Sequence, residues 1–253
     1  MPLSRFPQIA ITRTVVLATT FAVAVACAAV TPAADDKKGD DGWIELFNGK
    51  DLTGWKMYEP PSGEFSKVEA KTNADGKVVA YVGTLKRGGK QETLWRVEDG
   101  QIVGGGHSSH LFTDGGDYTN FHFRVEAKIN DHGNSGMYCR TKFGPGFPEG
   151  YEIQINATHS DPIRTGSIYP AGPLSKFRKE ITVMNVAPHK PNEFFTQEVI
   201  ADGPHLTTIV NGKKMIDWTD PNNTYTKGHF ALQGHDPGSV MTFRKVEYKP
   251  IKK

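Results

Sequence analysis

Four short segments of the chain carry polar side chains at every second position. Met137 and Cys139 alternate with Tyr138 and Arg140, and Tyr151, Ile153 and Ile155 alternate with Glu152, Gln154 and Asn156. Phe230 and Leu232 oppose Ala231, Gln233 and, if extended pairing continues past Gly234, His235. In the fourth, Phe121, Phe123, Val125, Ala127 and Ile129 oppose His122, Arg124, Glu126 and Lys128. Neighbouring residues of a strand point to opposite faces, so each segment has one apolar and one polar face. Antiparallel sheets commonly turn such a polar face to water. The kind of residue argues for a groove instead. Solvated strand faces favour Lys, Thr, Ser and scattered Glu, whereas Tyr, Arg, Gln, Asn and His gather here. Amide and guanidinium groups beside an aromatic ring suit sugar hydroxyls, which present donors and acceptors around a ring whose C–H face packs on aromatics. Tyr138, Arg140, Glu152 and Gln154 are expected to floor such a groove, with Glu126, Gln233 and His235 converging on it.

Each of these residues has a plainer reading. Arg140 also reads as a cross-strand ion pair with Glu152 or Glu126. His235 fits a loop histidine capping Asp236 or its neighbours, and Asn134-Ser135-Gly136 fits a turn entering a strand, with Asn134 a ligand contact on the alternative reading. His107 and His110 follow Gly104-Gly105-Gly106, which lacks the strand-to-helix setting of a phosphate loop and reads as a close-packed turn or bulge. The nine histidines show neither the His-Glu-x-x-His nor the paired-cysteine spacing of a zinc site. A divalent cation assembled from distant Glu and His residues stays open. No cofactor is otherwise indicated.

The elements that must hold these side chains read as strands. From Trp43 onward, short alternating segments are separated by Gly, Asn, Asp and Pro, the pattern of an antiparallel all-β domain, and helical periodicity is hard to find. Leu94–Glu98 and Gln101–Val103 flank Asp99-Gly100, while Thr207–Val210 and Lys214–Ile216 flank Asn211-Gly212-Lys213. Asp-Gly and Asn-Gly supply the positive φ angles of tight hairpin turns. Units of this kind favour a two-sheet sandwich over a parallel α/β sheet. Residues 58–92, with Pro60-Pro61, Asn73-Ala74-Asp75-Gly76 and Gly88-Gly89, are expected to add a hairpin and loops.

The N-terminus reads as a secretory signal peptide over residues 1–34. Arg5 and Arg13 precede an apolar run from Val15 to Val30, and Thr31-Pro32-Ala33-Ala34 offers small residues for cleavage. The run is shorter than the roughly 20 residues of a membrane span, and no basic stop-transfer flank follows it. An uncleaved anchor is the competing reading. Lipidation at Cys27, within Ala24-Val25-Ala26-Cys27, is a third, and membrane attachment is expected only then. Residues 35–41 read as a charged, solvated linker, and 42–253 as one domain. That domain contains a single cysteine, Cys139, so no internal disulfide can form and stability rests on packing. The net charge of +2, with basic residues dispersed and no aromatic interleaving, argues against nucleic acid as a partner.

Several segments, in order, resemble one family. They are Leu46-Phe47-Asn48-Gly49-Lys50-Asp51-Leu52-Thr53-Gly54-Trp55, Trp95 to Val103, Gly133-Asn134-Ser135-Gly136-Met137-Tyr138-Cys139-Arg140, Gly150-Tyr151-Glu152-Ile153-Gln154-Ile155, Asn211-Gly212, Leu232-Gln233-Gly234-His235 and Phe243-Arg244. From Trp43 to Lys249 the chain is thus similar to the 3-keto-disaccharide hydrolase domain. The resemblance implies a concanavalin A-like (lectin/glucanase) jelly-roll sandwich with the site on one sheet, and a substrate that is a sugar already oxidised to a ketone. The family commonly follows its Glu-x-Gln-Ile segment with Leu-Asp, whereas this chain has Asn156-Ala157. A missing acid there impairs the site if it binds metal or acts as a base. It means little if it is a turn residue.

Conventional double displacement needs two carboxyl groups roughly 5 to 5.5 Å apart. The strand of Glu152 offers only that one, since Gln154 and Asn156 can neither attack nor donate a proton as acids, and pairing would fall to Glu126. Elimination needs less. A ketone at C3 acidifies the C2 proton and places the glycosidic oxygen in the β position. On the resemblance, Glu152 or His235 removes that proton, Arg140, with a metal if one is bound, stabilises the enolate, and the other titratable group assists the leaving oxygen. Tyr138, Gln154, Glu126, Asn134 and Gln233 are expected to contact the sugar. A non-catalytic sugar-binding module and a conventional glycosidase stand as alternatives.

Overall fold

The computed structural model describes residues 42–252. The signal-peptide, Cys27 and 35–41 linker expectations lie outside the described residues. Fifteen strands make up the fold: β1 (Ile44–Glu45), β2 (Trp55–Lys56), β3 (Phe65–Thr72), β4 (Val78–Leu85), β5 (Gln91–Glu98), β6 (Gln101–Gly104), β7 (Ser109–Thr113), β8 (Phe121–Ile129), β9 (Ser135–Thr141), β10 (Tyr151–Ile155), β11 (Phe195–Asp202), β12 (His205–Val210), β13 (Lys213–Thr219), β14 (His229–Gly234) and β15 (Met241–Pro250). A 3-10 turn, Gly172–Phe177, runs into a single short helix, α1 (Arg178–Ile181). Among the described residues no helix is long and apolar enough to cross a membrane.

The strands form two antiparallel sheets. The larger has ten strands in the order β13-β12-β11-β8-β15-β6-β5-β4-β3, with β1 also paired to β15. The smaller runs β10-β9-β14-β7-β2. Apart from β9 and β10, neighbouring strands of the small sheet come from distant parts of the sequence, as in the jelly roll that the resemblance implied. The two predicted hairpin turns are present. Asp99 and Gly100 join β5 to β6 at φ 51° and 72°, and Asn211 and Gly212 join β12 to β13 at φ 50° and 76°. Residues 58–92 supply the β3–β4 hairpin and the start of β5, which extend the large sheet.

The core lies between the sheets and is built from the apolar alternates. Phe123, Val125, Ala127 and Phe243 from the large sheet pack in one cluster with Met137, Cys139, Tyr151, Ile153, Ile155, Phe230 and Leu232 from the small one. Cys139 is fully buried there, and burial pushes its thiol up to about 12. The Gly104-Gly105-Gly106 turn is close-packed, since a Cβ on Gly104 would lie 2.5 Å from the Met241 sulfur and 2.6 Å from the Trp95 ring.

The outer face of the large sheet is the water-facing kind. His122 Nε2 lies 2.6 Å from Glu198, Arg124 pairs with Glu247, and Arg244 pairs with Glu126. The Arg124 guanidinium also stacks 3.9 Å over the Trp43 ring. The outer face of the small sheet is different, because loops cover it. The strand β10 ends that sheet, yet its free side is occupied by the 163–171 segment. Gln154 N–H donates to Ser167 O, Gly166 N–H to Gln154 O and Tyr169 N–H to Glu152 O, at 2.9, 3.1 and 2.8 Å.

Candidate active site

The covered face of the small sheet holds a cavity of about 610 Å³. Adjacent strands β14, β9 and β10 supply its floor as Gln233, Tyr138, Glu152 and Gln154, which are the polar alternates of strands whose other residues fill the core. Asn134, just before β9, and His235, just after β14, complete the polar end. One wall is the Gly- and Pro-rich stretch Phe147–Gly150, and the other is Tyr169 with Ala171, Gly172 and Pro173.

The centre of the floor is Glu152. Its Oε2 accepts from the Tyr138 hydroxyl at 2.5 Å and its Oε1 from Gln233 Nε2 at 3.0 Å. With the Gln154 amide turned so that nitrogen faces Ser135 O at 2.9 Å, that nitrogen also lies 3.2 Å from Glu152 Oε1. Even so, Glu152 is only 8% exposed, and the loss of water raises its pKa from 4.5 to about 7; the charge of Asp161 adds to the rise and the two hydrogen bonds oppose it. Tyr138 is driven well above the usual phenol range by the same burial and by the carboxylate beside it. Gly136 makes room for this carboxyl, because a Cβ there would come within 3.0 Å of both Cγ and Oε1 of Glu152. The glycine of Asn-Ser-Gly is therefore a space requirement of the site.

His235 is held by Asp236. Its Nδ1 lies 2.8 Å from Asp236 Oδ2, which also accepts from Ser239 Oγ at 2.9 Å, and Ser239 Oγ in turn accepts from the backbone of Asn134 at 2.8 Å. Burial opposes ionisation of Asp236, but the bonds from His235, Ser239 and Gly238 keep its carboxyl below the usual range. An ionised Asp236 fixes the proton of a neutral His235 on Nδ1, leaving Nε2 for chemistry. The capping reading of His235 and the cavity reading are thus both realised by one side chain. Among the described residues no group of three or more His, Cys, Asp and Glu side chains is placed to hold a metal ion.

The sequence profile of the 3-keto-alpha-glucoside-1,2-lyase-like domain matches residues 42–249. The chain belongs to this family. A candidate glycosyl hydrolase from Parabacteroides distasonis is similar in structure, with a TM-score of 0.58 and 23% identity over 84% of this chain and 95% of its own. A second candidate glycosyl hydrolase from the same organism gives a TM-score of 0.55 at 22% identity over 83% and 99%. Those likenesses are of fold. A search of curated proteins finds no match. Membership in the 3-keto-alpha-glucoside-1,2-lyase-like family supports a carbohydrate-active protein.

Of the eight residues singled out in the sequence, six line the cavity of this family member: Glu152, His235, Tyr138, Gln154, Asn134 and Gln233. Arg140 does not. A bulge between β9 and β14 sets three steps of β9 against two of its partner, and Arg140 sits there at φ 50°. Such a bulge re-aims the side chain and breaks simple alternation. The buried guanidinium makes no ion pair with Glu152 or Glu126. It donates to Thr119 O at 2.6 and 2.8 Å and to Tyr225 O at 3.1 Å, clipping two loops together.

Glu126 is the second correction. It lies on the outer face of the large sheet, bonded to Arg244, whose proximity keeps its carboxyl low. Glu126 and Glu152 therefore stand on different sheets and do not face one another across a cleft. The other carboxylate lining the cavity, Glu149, is exposed. Asn156 is no vacant acid position. Its amide donates to Asp161 O and Ile163 O at 2.9 and 2.8 Å and accepts from His159 N and Arg164 Nη1 at 2.9 and 3.0 Å, using its full capacity to shape the following loop.

Two participants carried no recognisable signal. Asp236 had only its place beside His235. His110, opposite Gln233 on β7, was read with the glycine turn, but it packs edge-on to Tyr138 at 5.2 Å. Burial holds His110 neutral, lowering it to about 3, with the nearby His235 charge adding to the effect.

Proposed function

We propose that the protein cleaves the glycosidic bond of 3-keto-glycosides by eliminating across C1–C2, with hydration of the unsaturated sugar completing hydrolysis. The observation that carries this reading is the pairing, in one cavity, of a carboxyl raised to about 7 with a histidine oriented by a carboxylate. A carboxyl tuned this way, beside an oriented imidazole, suits proton transfer near neutral pH. The family description, which names a 1,2-lyase of 3-keto-alpha-glucosides, agrees with elimination.

In this reading the ionised Glu152 takes the C2 proton, a task for which a pKa near 7 makes it a stronger base than an ordinary carboxylate. The electrons form the C1–C2 double bond as the C1–O bond breaks. His235, protonated and held by Asp236, gives its proton to the departing oxygen. The enolate-stabilising role expected of Arg140 passes to the Asn134 carboxamide, since Arg140 is spent on two backbone carbonyls. Hydration runs the transfers backward: His235 takes a proton from water attacking C1, and Glu152 returns one to C2. Both groups are restored. The N-terminal pattern supports export before this chemistry, and sequencing the mature N-terminus from cell fractions checks it, an intact Met1 in the cytoplasm excluding it.

The reaction is tested by incubating the protein with a 3-keto-α-glucoside and its unoxidised parent and following both by mass spectrometry in deuterated water. Cleavage confined to the ketone, deuterium at C2, and a drop of about 10² to 10⁴-fold in Glu152→Gln and His235→Asn are expected. Comparable cleavage of the parent overturns the keto-sugar reading. Binding of either sugar without turnover leaves a non-catalytic module.

A further inference from the structure

Phe147 is 59% exposed, and it is the only aromatic among the large apolar side chains left exposed in the described residues. It stands at the cavity, tilted on the His235 ring at 5.6 Å and edge-on to His110 at 5.8 Å. Gly146 precedes it at φ 68°, and Pro148 follows, which restricts the backbone of Phe147 to extended conformations. The ring is thus held out by its own chain, at a cost in exposed apolar surface that nothing in the packing of the core requires.

The cavity has two chemically distinct zones. Its hydrogen-bonding side chains concentrate on the strands, around Glu152. The loop-borne lining is Phe147, Pro148, Gly150, Ala171, Gly172 and Pro173, with Glu149, Tyr169 and Tyr225 as the polar exceptions. The proposed function fixes which part of a substrate meets each zone, and the inference rests on that reading. If His235 protonates the glycosidic oxygen, the group attached to that oxygen leaves past Phe147, which of the two rings beside His235, Phe147 and His159, is the one that lines the cavity. A flat apolar platform with few donors and acceptors stacks an aromatic ring well and leaves the hydroxyls of a second sugar poorly matched.

We propose that this zone is a leaving-group subsite for aromatic aglycones, with Phe147 as its stacking platform, so that aryl 3-keto-glycosides are preferred to 3-keto-disaccharides. Phe147 determines specificity here and takes no part in proton transfer.

The test measures binding by calorimetry in the full chain carrying Glu152→Gln, which prevents turnover. Three ligands are compared: phenyl, methyl and glucosyl 3-keto-α-glucosides. The phenyl compound is expected to bind about tenfold more tightly than the methyl one, an advantage lost in Phe147→Ala and kept in Phe147→Trp. Methyl glycoside binding should fall less than phenyl glycoside binding in Phe147→Ala. Because Phe147 is largely exposed, its loss does not threaten folding. The inference is overturned if the glucosyl compound gains as much as the phenyl one, if Phe147→Ala leaves the phenyl advantage intact, or if the phenyl compound fails to bind. Turnover of the methyl compound by the unsubstituted protein reports separately on the reaction. No turnover alongside an intact phenyl preference would remove the elimination mechanism and leave the aromatic subsite standing.

Discussion

Replacing Glu152 with Gln should stabilise the protein in alkaline solution while disabling it. The folded state holds this carboxyl at about 7, against 4.5 when unburied. The folded protein therefore binds the proton more tightly than the unfolded chain does. Protonated Glu152 contributes its full stability below pH 4.5, and that contribution is lost as pH rises through 7. Complete loss amounts to about 3 kcal/mol, and the portion lost between about pH 5 and about pH 8.5 is about 2.5 kcal/mol. Glutamine has the same shape, can still accept from Gln233 and can donate to the Tyr138 oxygen, and has no charge to desolvate. Urea unfolding of both proteins across that range should show the gap moving by about 2.5 kcal/mol in favour of the variant, with equal m-values. A gap that does not change with pH, or that moves toward the wild type, refutes the account of Glu152 as a carboxyl whose pKa is raised by burial.

Arg140→Ala should cost stability rather than chemistry. Removing the guanidinium leaves Thr119 O and Tyr225 O without their donor, a loss of about 3 kcal/mol in urea unfolding, while kcat of the folded fraction stays near wild type. A collapse of kcat with unchanged stability would return Arg140 to the site. Asn156→Asp should destabilise by about 2 to 4 kcal/mol at neutral pH, because a carboxylate would face two carbonyls that now receive N–H groups, with Arg164 offsetting only part. That loss should shrink toward acid pH, where the new carboxyl can donate, and thermal melts from about pH 4 to about pH 8 check it.

The strand pattern was legible because turns and alternation are local. Asp99-Gly100 and Asn211-Gly212 need no tertiary context to demand positive φ, and Tyr151–Ile155 shows its buried face directly. What alternation cannot say is which polar face is covered. The β8 and β10 patterns look alike in the sequence, yet Glu126 meets Arg244 in solvent while Glu152 meets Tyr138 under loops. Arg140 escaped for another reason, since one extra residue in a bulge reverses the side-chain count and leaves no mark in a run such as Tyr138-Cys139-Arg140-Thr141. The placing of His110 beside Gln233 depends on the closing of β14 against β7, a pairing of residues more than a hundred positions apart.

The terminal position of β10 in its sheet has a consequence for how the protein behaves among other molecules. A strand at the end of a sheet offers unpaired amides and carbonyls to any passing chain, and a site strand rich in Tyr, Ile and Gln would be a hazard if left bare. Here Ser167, Gly166 and Tyr169 occupy those groups, and Ile153 bridges to Ile168. The same segment carries Tyr169 and Ala171 into the cavity wall. One stretch of chain is thus both seal and wall, so a change in this segment that widens the cavity also uncovers a strand edge, and solubility is tied to substrate access at this side of the molecule.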